Sequence, residues 1–138
     1  MNHKEVKQLA QELVMLVNHC VEKKVDIYHV NYGLDRNMTK LTSASEAISK
    51  NVSQELKDME EKIWELAKKK DVENPVFSPE LLSKKDKLQH EELFTKYLEF
   101  LEEPDDFEPY LLNPDKLEGL KIEFPFYQIL KNFLPKED

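Results

Sequence analysis

Proline is confined to one half of this chain, and that distribution is the strongest constraint on its fold. All seven prolines and all seven phenylalanines of the 138 residues lie after residue 74. A proline inside a helix removes a backbone hydrogen bond and clashes with the preceding turn, so the proline-free half, residues 1–74, is predicted to form long regular helices. Residues 75–138 are predicted to form shorter elements joined by ordered turns around aromatic side chains.

Apolar residues in the first half recur at helical spacing. One stripe, preceded by an Asn2–Glu5 capping pair, predicts a helix from about residue 3 to about residue 23. A second stripe predicts a helix from about Asp35 to Lys70, in which Ser43 could restart the helix through an internal capping box. This second helix would be roughly 50 Å long, which is longer than a small domain is wide. Part of it is therefore expected to protrude or to pair with another chain.

The second half predicts two further helices. Ser78 as N-cap and Pro79 at the first helical position indicate a helix that continues to about Glu103. The mostly polar stretch 83–92 is the place where this helix could break. Pro125 is expected to open a last short helix, which would end at about residue 134.

Two short segments leave strand and helix both open. Residues 25–32 and 120–124 alternate as a strand would, and Gly33 is expected to end the first of them. The predicted fold is all-α or mostly α, a long helical hairpin or small helical bundle with one short β-hairpin as an option. A single domain spanning residues 1–138 is expected, with the acidic proline- and phenylalanine-rich half packed across the two long helices.

Charge and hydropathy argue against two classes of partner. The net charge is −8 and the sequence pI about 5.1, which disfavours direct nucleic-acid binding because such a surface must neutralise phosphates. The longest uninterrupted apolar run, Leu13–Val17, is too short to cross a bilayer, and the N-terminus lacks the pattern of a secretory signal. The single cysteine fits a reducing compartment. We expect a cytoplasmic protein, or a cytosolic or nuclear one in a eukaryote, that does not bind membranes.

No residue pattern predicts enzymatic chemistry. His19, Cys20 and His29 form the nearest candidate metal cluster, but no second Cys/His pair completes a tetrahedral zinc set. Gly33 and Gly119 are the two glycines of the chain, and neither begins a glycine-rich phosphate loop. With one arginine, the guanidinium forks that clamp anionic substrates are nearly absent. The sequence therefore predicts no catalytic residues, no metal and no cofactor.

Two sets of residues are candidates for binding a protein partner. One set lies on the apolar face of the long second helix; the other lies in segment 99–108, which has six acids, two phenylalanines and no base. Acids beside exposed aromatic rings can dock onto a basic groove. The simpler interpretation, which we favour, is that Phe100 and Phe107 pack inward while the acids cap and solvate a turn. The candidates are Val52, Leu56, Met59 and Ile63 on the helix, and Glu102, Glu103, Asp105, Asp106, Phe107 and Glu108 in the segment.

These observations favour a non-enzymatic helical interaction module, such as a subunit, an adaptor or an assembly factor. Dimerisation through the apolar stripe of the second helix, as in a coiled coil, is expected. The alternative is an acidic inhibitor or immunity-type protein that blocks the basic active site of a nucleic-acid enzyme. Added salt separates the two hypotheses, because an electrostatic complex weakens with salt while apolar burial tolerates it.

Overall fold

The computed structural model describes residues 1–136, and within them every regular element is helical. The all-α prediction of a small helical bundle is confirmed, and no strand forms in the described chain. Three short 3-10 helices, Pro79–Leu81, Pro114–Leu117 and Lys131–Phe133, accompany the α-helices. The five α-helices are α1 (His3–Glu22), α2 (Asn31–Ser49), α3 (Gln54–Lys70), α4 (Lys84–Glu102) and α5 (Phe124–Leu130).

Helix α1 follows the sequence prediction closely. The Asn2 side chain accepts a hydrogen bond from the Glu5 backbone N–H at 2.8 Å, and the Glu5 carboxylate accepts one from the Asn2 backbone N–H at 3.0 Å. This reciprocal capping box satisfies two donors that a helix start would otherwise leave unpaired. One face of α1 is buried; its residues are Val6, Leu9, Leu13, Leu16 and Cys20.

The predicted helix from Asp35 to Lys70 is wrong, because the chain forms two helices there. Helix α2 ends at Ser49 and α3 begins at Gln54, after Ser53. The Ser53 hydroxyl accepts a hydrogen bond from the Leu56 backbone N–H at 3.1 Å, so the restart uses Ser53 and not Ser43. Each helix is then roughly 25 to 30 Å long, about the width of a small domain. The length argument for a protruding or paired helix is therefore removed.

The segment before α2 forms turns where a strand was considered. Residues 28–30 form a turn, and α2 starts at Asn31, so Gly33 lies inside a helix and does not end the segment. A Cβ atom on Gly33 would collide with the Leu112 side chain, which explains the glycine by close packing. Residues 120–123 also contain no strand, and α5 begins at Phe124.

The second half is divided more finely than predicted. Pro79 starts only a 3-10 turn, and α4 begins after Ser83, whose hydroxyl accepts from the Asp86 backbone N–H at 3.3 Å. The polar stretch considered as a break is therefore the helix start. Helix α5 ends at Leu130 and continues as the Lys131–Phe133 3-10 helix, so the last α-helix is shorter than expected.

The chain forms two compact units. Unit 1 contains residues 1–47 and the chain from Pro104 onward; unit 2 contains residues 48–103. In unit 1, α1 packs against α5; in unit 2, α3 packs against α4 and the Pro79–Leu81 turn. This division differs from the compositional change near residue 74, and the single-domain expectation stays a prediction. Within residues 1–136 no helix combines the length and apolar character that a bilayer span requires.

Candidate functional site

The four apolar residues predicted to bind a partner belong to unit 2, and two of them are buried in its core. Leu56 and Ile63 are 1% and 0% exposed, whereas Val52 and Met59 are half-buried. Each residue lies on the face expected from its spacing, but that face serves the core of the unit. Leu56 and Ile63 are therefore core residues in this structure, and a partner contact through Val52 and Met59 stays a prediction.

The acidic segment does not present its residues as one exposed set. Asp105 Oδ2 lies 2.7 Å from His3 Nδ1, and Asp105 Oδ1 accepts from the Phe107 backbone N–H at 2.7 Å. The Asp105 side chain is only 8% exposed, so it ties the segment to the start of α1 and caps a turn. Phe107 is half-buried. The exposed acids are Glu102 and Glu103 in unit 2, and Asp106 and Glu108 in unit 1.

An aromatic and cationic cluster stands on the surface of unit 1. The Arg36 guanidinium carbon lies 5.8 Å from the ring centroid of Tyr32 and 5.4 Å from that of Tyr110. The two tyrosine rings meet edge to face, with centroids 5.9 Å apart. Tyr32 and Tyr110 are 64% and 36% exposed, and Arg36 is exposed too. We name these three residues the Tyr–Arg–Tyr surface.

A buried amide holds this surface in place. Asn37 is fully buried, and its Nδ2 donates to the Tyr110 carbonyl at 2.8 Å while its Oδ1 accepts from the Tyr110 backbone N–H at 2.8 Å. The same Nδ2 donates to the Gly33 carbonyl at 2.9 Å. Because one buried side chain binds both backbone groups of Tyr110, the backbone that carries the ring is anchored to α2. Leu112 lies two residues after Tyr110, and the missing side chain of Gly33 lets it approach α2 closely.

The guanidinium of Arg36 is open to a ligand. Its Nη1 donates weakly to the Tyr32 hydroxyl at 3.4 Å, and no carboxylate of the described chain lies within ion-pair distance of it. Beside it is an open pocket of about 430 Å³, whose other lining residues include Thr39 and Lys40. Arginine has five N–H donors, so most of its hydrogen-bonding capacity remains for a partner.

The Tyr–Arg–Tyr surface could not be predicted from the sequence, because it joins residues that are far apart in the chain. Tyr32 and Arg36 are four residues apart, a spacing that places them on one helix face and could have been read locally. Tyr110 is 73 positions from Asn37 in the chain. No local pattern joins two such distant residues.

A second open pocket, of about 520 Å³, lies in unit 1 near the C-terminal end of α1. Its charges nearly cancel, since four lysines are matched by three carboxylates, and this balance selects no clear class of ligand. His19, which lines it, stacks on Phe126 with ring centroids 3.9 Å apart. The lysines are Lys23, Lys24, Lys116 and Lys121, and the carboxylates are those of Asp26, Glu118 and Glu123.

Cys20 and His19 pack against other residues, whereas His29 is exposed in the turn before α2. Cys20 is buried on the inner face of α1, and His19 stacks on Phe126. Within residues 1–136, no three histidine, cysteine or acidic side chains are grouped closely enough to hold a metal ion.

Burial of Cys20 gives a testable property of its thiol. Because desolvation disfavours the thiolate, burial raises the pKa of Cys20 above its usual value. We expect an aromatic disulfide reagent to modify the native protein far more slowly than the urea-unfolded chain, measured by absorbance. Cys20→Ser should lower the free energy of unfolding by about 1 to 3 kcal/mol. Rapid modification of the native protein would contradict a buried thiol.

Comparison of this chain with protein-family models, with curated proteins and with solved structures found no match.

Proposed function

We propose that this protein is a non-enzymatic interaction module that binds a protein partner through the Tyr–Arg–Tyr surface. The observation that carries the proposal is an exposed Arg36 flanked by two exposed tyrosines, with Tyr110 fixed by the buried Asn37. Tyrosine and arginine are the residues most enriched, with tryptophan, among those that dominate binding energy at protein interfaces. A rigid support lowers the entropy cost of ordering such residues on binding.

The chemistry of this surface favours an acidic partner. The Arg36 guanidinium can bind a carboxylate through two parallel N–H···O bonds, and Lys40 adds a second positive charge at the same pocket. Asp35 is the one acidic residue that lines the pocket. The tyrosine rings would cover the ion pair from water, which strengthens a charged hydrogen bond.

Capture from the native host, with quantitative mass spectrometry, tests this proposal. The immobilised chain, its Arg36→Ala variant and a Lys4→Ala control are compared. Lys4 is an exposed cation on α1 that does not line the pocket beside Arg36. Truncation of an interface hot spot costs about 2 kcal/mol or more, so we expect at least one specific protein to be depleted about tenfold or more by Arg36→Ala. Lys4→Ala should retain it. Equal capture by all three proteins would contradict the proposal.

An acidic inhibitor remains the second candidate function, supported by the exposed carboxylates of Asp106 and Glu108. It has less support because Asp105 is bound to His3 in the same segment. The Asp106→Asn/Glu108→Gln double variant separates the two hypotheses. Loss of the captured protein with this variant, but not with Arg36→Ala, would favour the inhibitor.

Two further expectations from the sequence stay predictions. Self-association is tested by sedimentation velocity across a range of concentrations, where a rising sedimentation coefficient would support it. A cytoplasmic location, or a nuclear one in a eukaryote, is tested by imaging the tagged chain in its host.

A further inference from the structure

An aromatic pocket of about 300 Å³ opens on unit 2 between α3, the Pro79–Leu81 turn and α4. We name it the aromatic pocket; three of its lining rings are Phe77, His90 and Phe94. The His90 and Phe94 rings are nearly parallel, with an interplanar angle of 10° and centroids 6.0 Å apart. The centroids of the His90 and Phe77 rings are 6.5 Å apart. The Trp64 ring packs on that of Phe77, with 5.3 Å between the ring centroids.

His90 is not fully accounted for by packing. The residue is 6% exposed, and its Nε2 is buried without a hydrogen-bond partner among the described residues. A buried polar atom without a partner costs free energy, so each such atom in a folded protein calls for an explanation. Nε2 is closed to solvent, but His90 lines the pocket, so a turn of its ring on binding would bring an unprotonated Nε2 to a hydrogen-bond donor of the occupant.

The charges around the pocket are unbalanced. Glu60, Glu80 and Glu91 contribute carboxylates to its lining, against one cation, Lys87. Lys87 is already engaged, with its Nζ 2.6 Å from Glu80 Oε1, and this hydrogen bond raises the pKa of Lys87. Glu60 and Glu91 have no ion pair within 4.0 Å in the described chain. The pocket therefore has an excess of negative charge beside aromatic faces.

We propose that the aromatic pocket binds an arginine side chain of a protein partner. A guanidinium is planar, stacks on aromatic rings, is weakly hydrated and carries several N–H donors. These properties match the Phe77 and Phe94 rings, the unpaired Nε2 of His90 and the carboxylates of Glu60 and Glu91. A lysine ammonium is more strongly hydrated and cannot stack, so it fits less well. This site is separate in chemistry from the Tyr–Arg–Tyr surface, and the inference does not depend on that surface.

A titration of the full chain with a matched pair of peptides tests the inference. The probes are acetyl-Gly-Arg-Gly-amide and the same peptide with citrulline, which keeps the shape of arginine without its charge. NMR signals of the His90 imidazole and the Trp64 indole report on the pocket. A single anchored side chain is expected to bind with Kd of about 1 mM or weaker. We expect the arginine peptide to shift the His90 signals and the citrulline peptide to bind at least tenfold more weakly.

Variants assign the effect to the pocket. Glu60→Gln/Glu91→Gln should weaken binding of the arginine peptide at least fivefold, whereas Glu65→Gln, an exposed change on α3, should leave it unchanged. His90→Phe keeps the aromatic volume but removes Nε2, and should weaken binding with the helical circular dichroism retained. The chain's own Trp64 fluorescence checks that unit 2 remains folded in each variant.

Four results would overturn the inference. Equal binding of the citrulline peptide would show that charge is not recognised. A lysine peptide that bound as tightly would assign the pocket to alkylammonium groups. No shift of the His90 signals with roughly 10 mM arginine peptide would show that the pocket is not an arginine site. Shifts that depend on the concentration of the chain itself would identify the occupant as a second copy.

Discussion

Deletion of residues 125–138 is expected to unfold unit 1. This segment contributes Leu130 and Phe133, which are 1% and 0% exposed, and it includes most of α5, which packs against α1. The Phe133 carbonyl also accepts a hydrogen bond from the Leu112 backbone N–H at 2.7 Å. Removing a buried leucine and a buried phenylalanine costs about 5 to 10 kcal/mol, which is comparable to the whole stability of a small domain. We expect far-UV circular dichroism to show a large loss of helix, or the truncated chain to aggregate.

A matched pair of phenylalanine substitutions tests the same core without truncation. Phe133→Ala should lower the free energy of unfolding by about 3 to 5 kcal/mol, because it leaves a cavity where a fully buried ring was. Phe124 is 69% exposed, so Phe124→Ala should change the stability by less than about 0.5 kcal/mol. Urea unfolding followed by circular dichroism gives both values.

For the chain that lacks residues 125–138, unchanged helicity and Tm with loss of only a partner would instead identify α5 as a docking element.

The helices that could be predicted from the sequence are those with local signals at their ends. Helix α1 has its capping box and its apolar stripe within one short window, and both were readable without tertiary information. The break between α2 and α3 was misplaced because Ser43 and Ser53 are both competent N-caps. Capping at Ser53 is accompanied by burial of Leu56, and burial depends on what packs against the helix.

The place of Gly33 inside a helix could not be predicted for a related reason. In sequence, Gly33 indicates a helix end or a turn, because glycine tolerates backbone angles that other residues avoid. In the structure it lies within α2, where the Leu112 side chain occupies the space that a Cβ would need. The contact joins residues far apart in the chain, so no local rule could distinguish the two uses.

The candidate site was the least predictable part of the molecule. In the sequence, the acidic segment and the α3 stripe are the most conspicuous candidates because of their composition and periodicity. In the structure, the Asp105 carboxylate contacts His3, and Leu56 is buried in the core of unit 2. The Tyr–Arg–Tyr surface instead depends on Asn37, a residue type that is mostly exposed in proteins and that a sequence gives no reason to place inside.

Substitution of Asn37 is expected to be the most destabilising single change of a polar residue. Asn37→Leu keeps the volume but removes three hydrogen bonds, two of them to the backbone of Tyr110. The Tyr110 N–H and carbonyl would be left without these partners, and each such group costs about 1 to 3 kcal/mol. We expect the free energy of unfolding to fall by about 3 kcal/mol, measured by urea titration. Asn18→Leu, on the exposed side of α1, should stay within about 0.5 kcal/mol of the parent protein.

A second variant identifies the hydrogen bonds as the cause. In Asn37→Asp the carboxyl can still accept from the Tyr110 N–H, but its ionised form has no donor for the two carbonyls. Burial beside carbonyl oxygens would raise the pKa of this carboxyl above its unfolded value of about 3.9. The variant is then least stable at neutral pH, and recovers stability as the pH falls towards about 4, where the protonated carboxyl donates again. Equal stability of Asn37→Asp and the parent protein at pH 7 would show that the amide is not what holds Tyr110.

Loss of partner capture in Asn37→Leu at a temperature where the variant remains folded would connect this buried amide to the Tyr–Arg–Tyr surface.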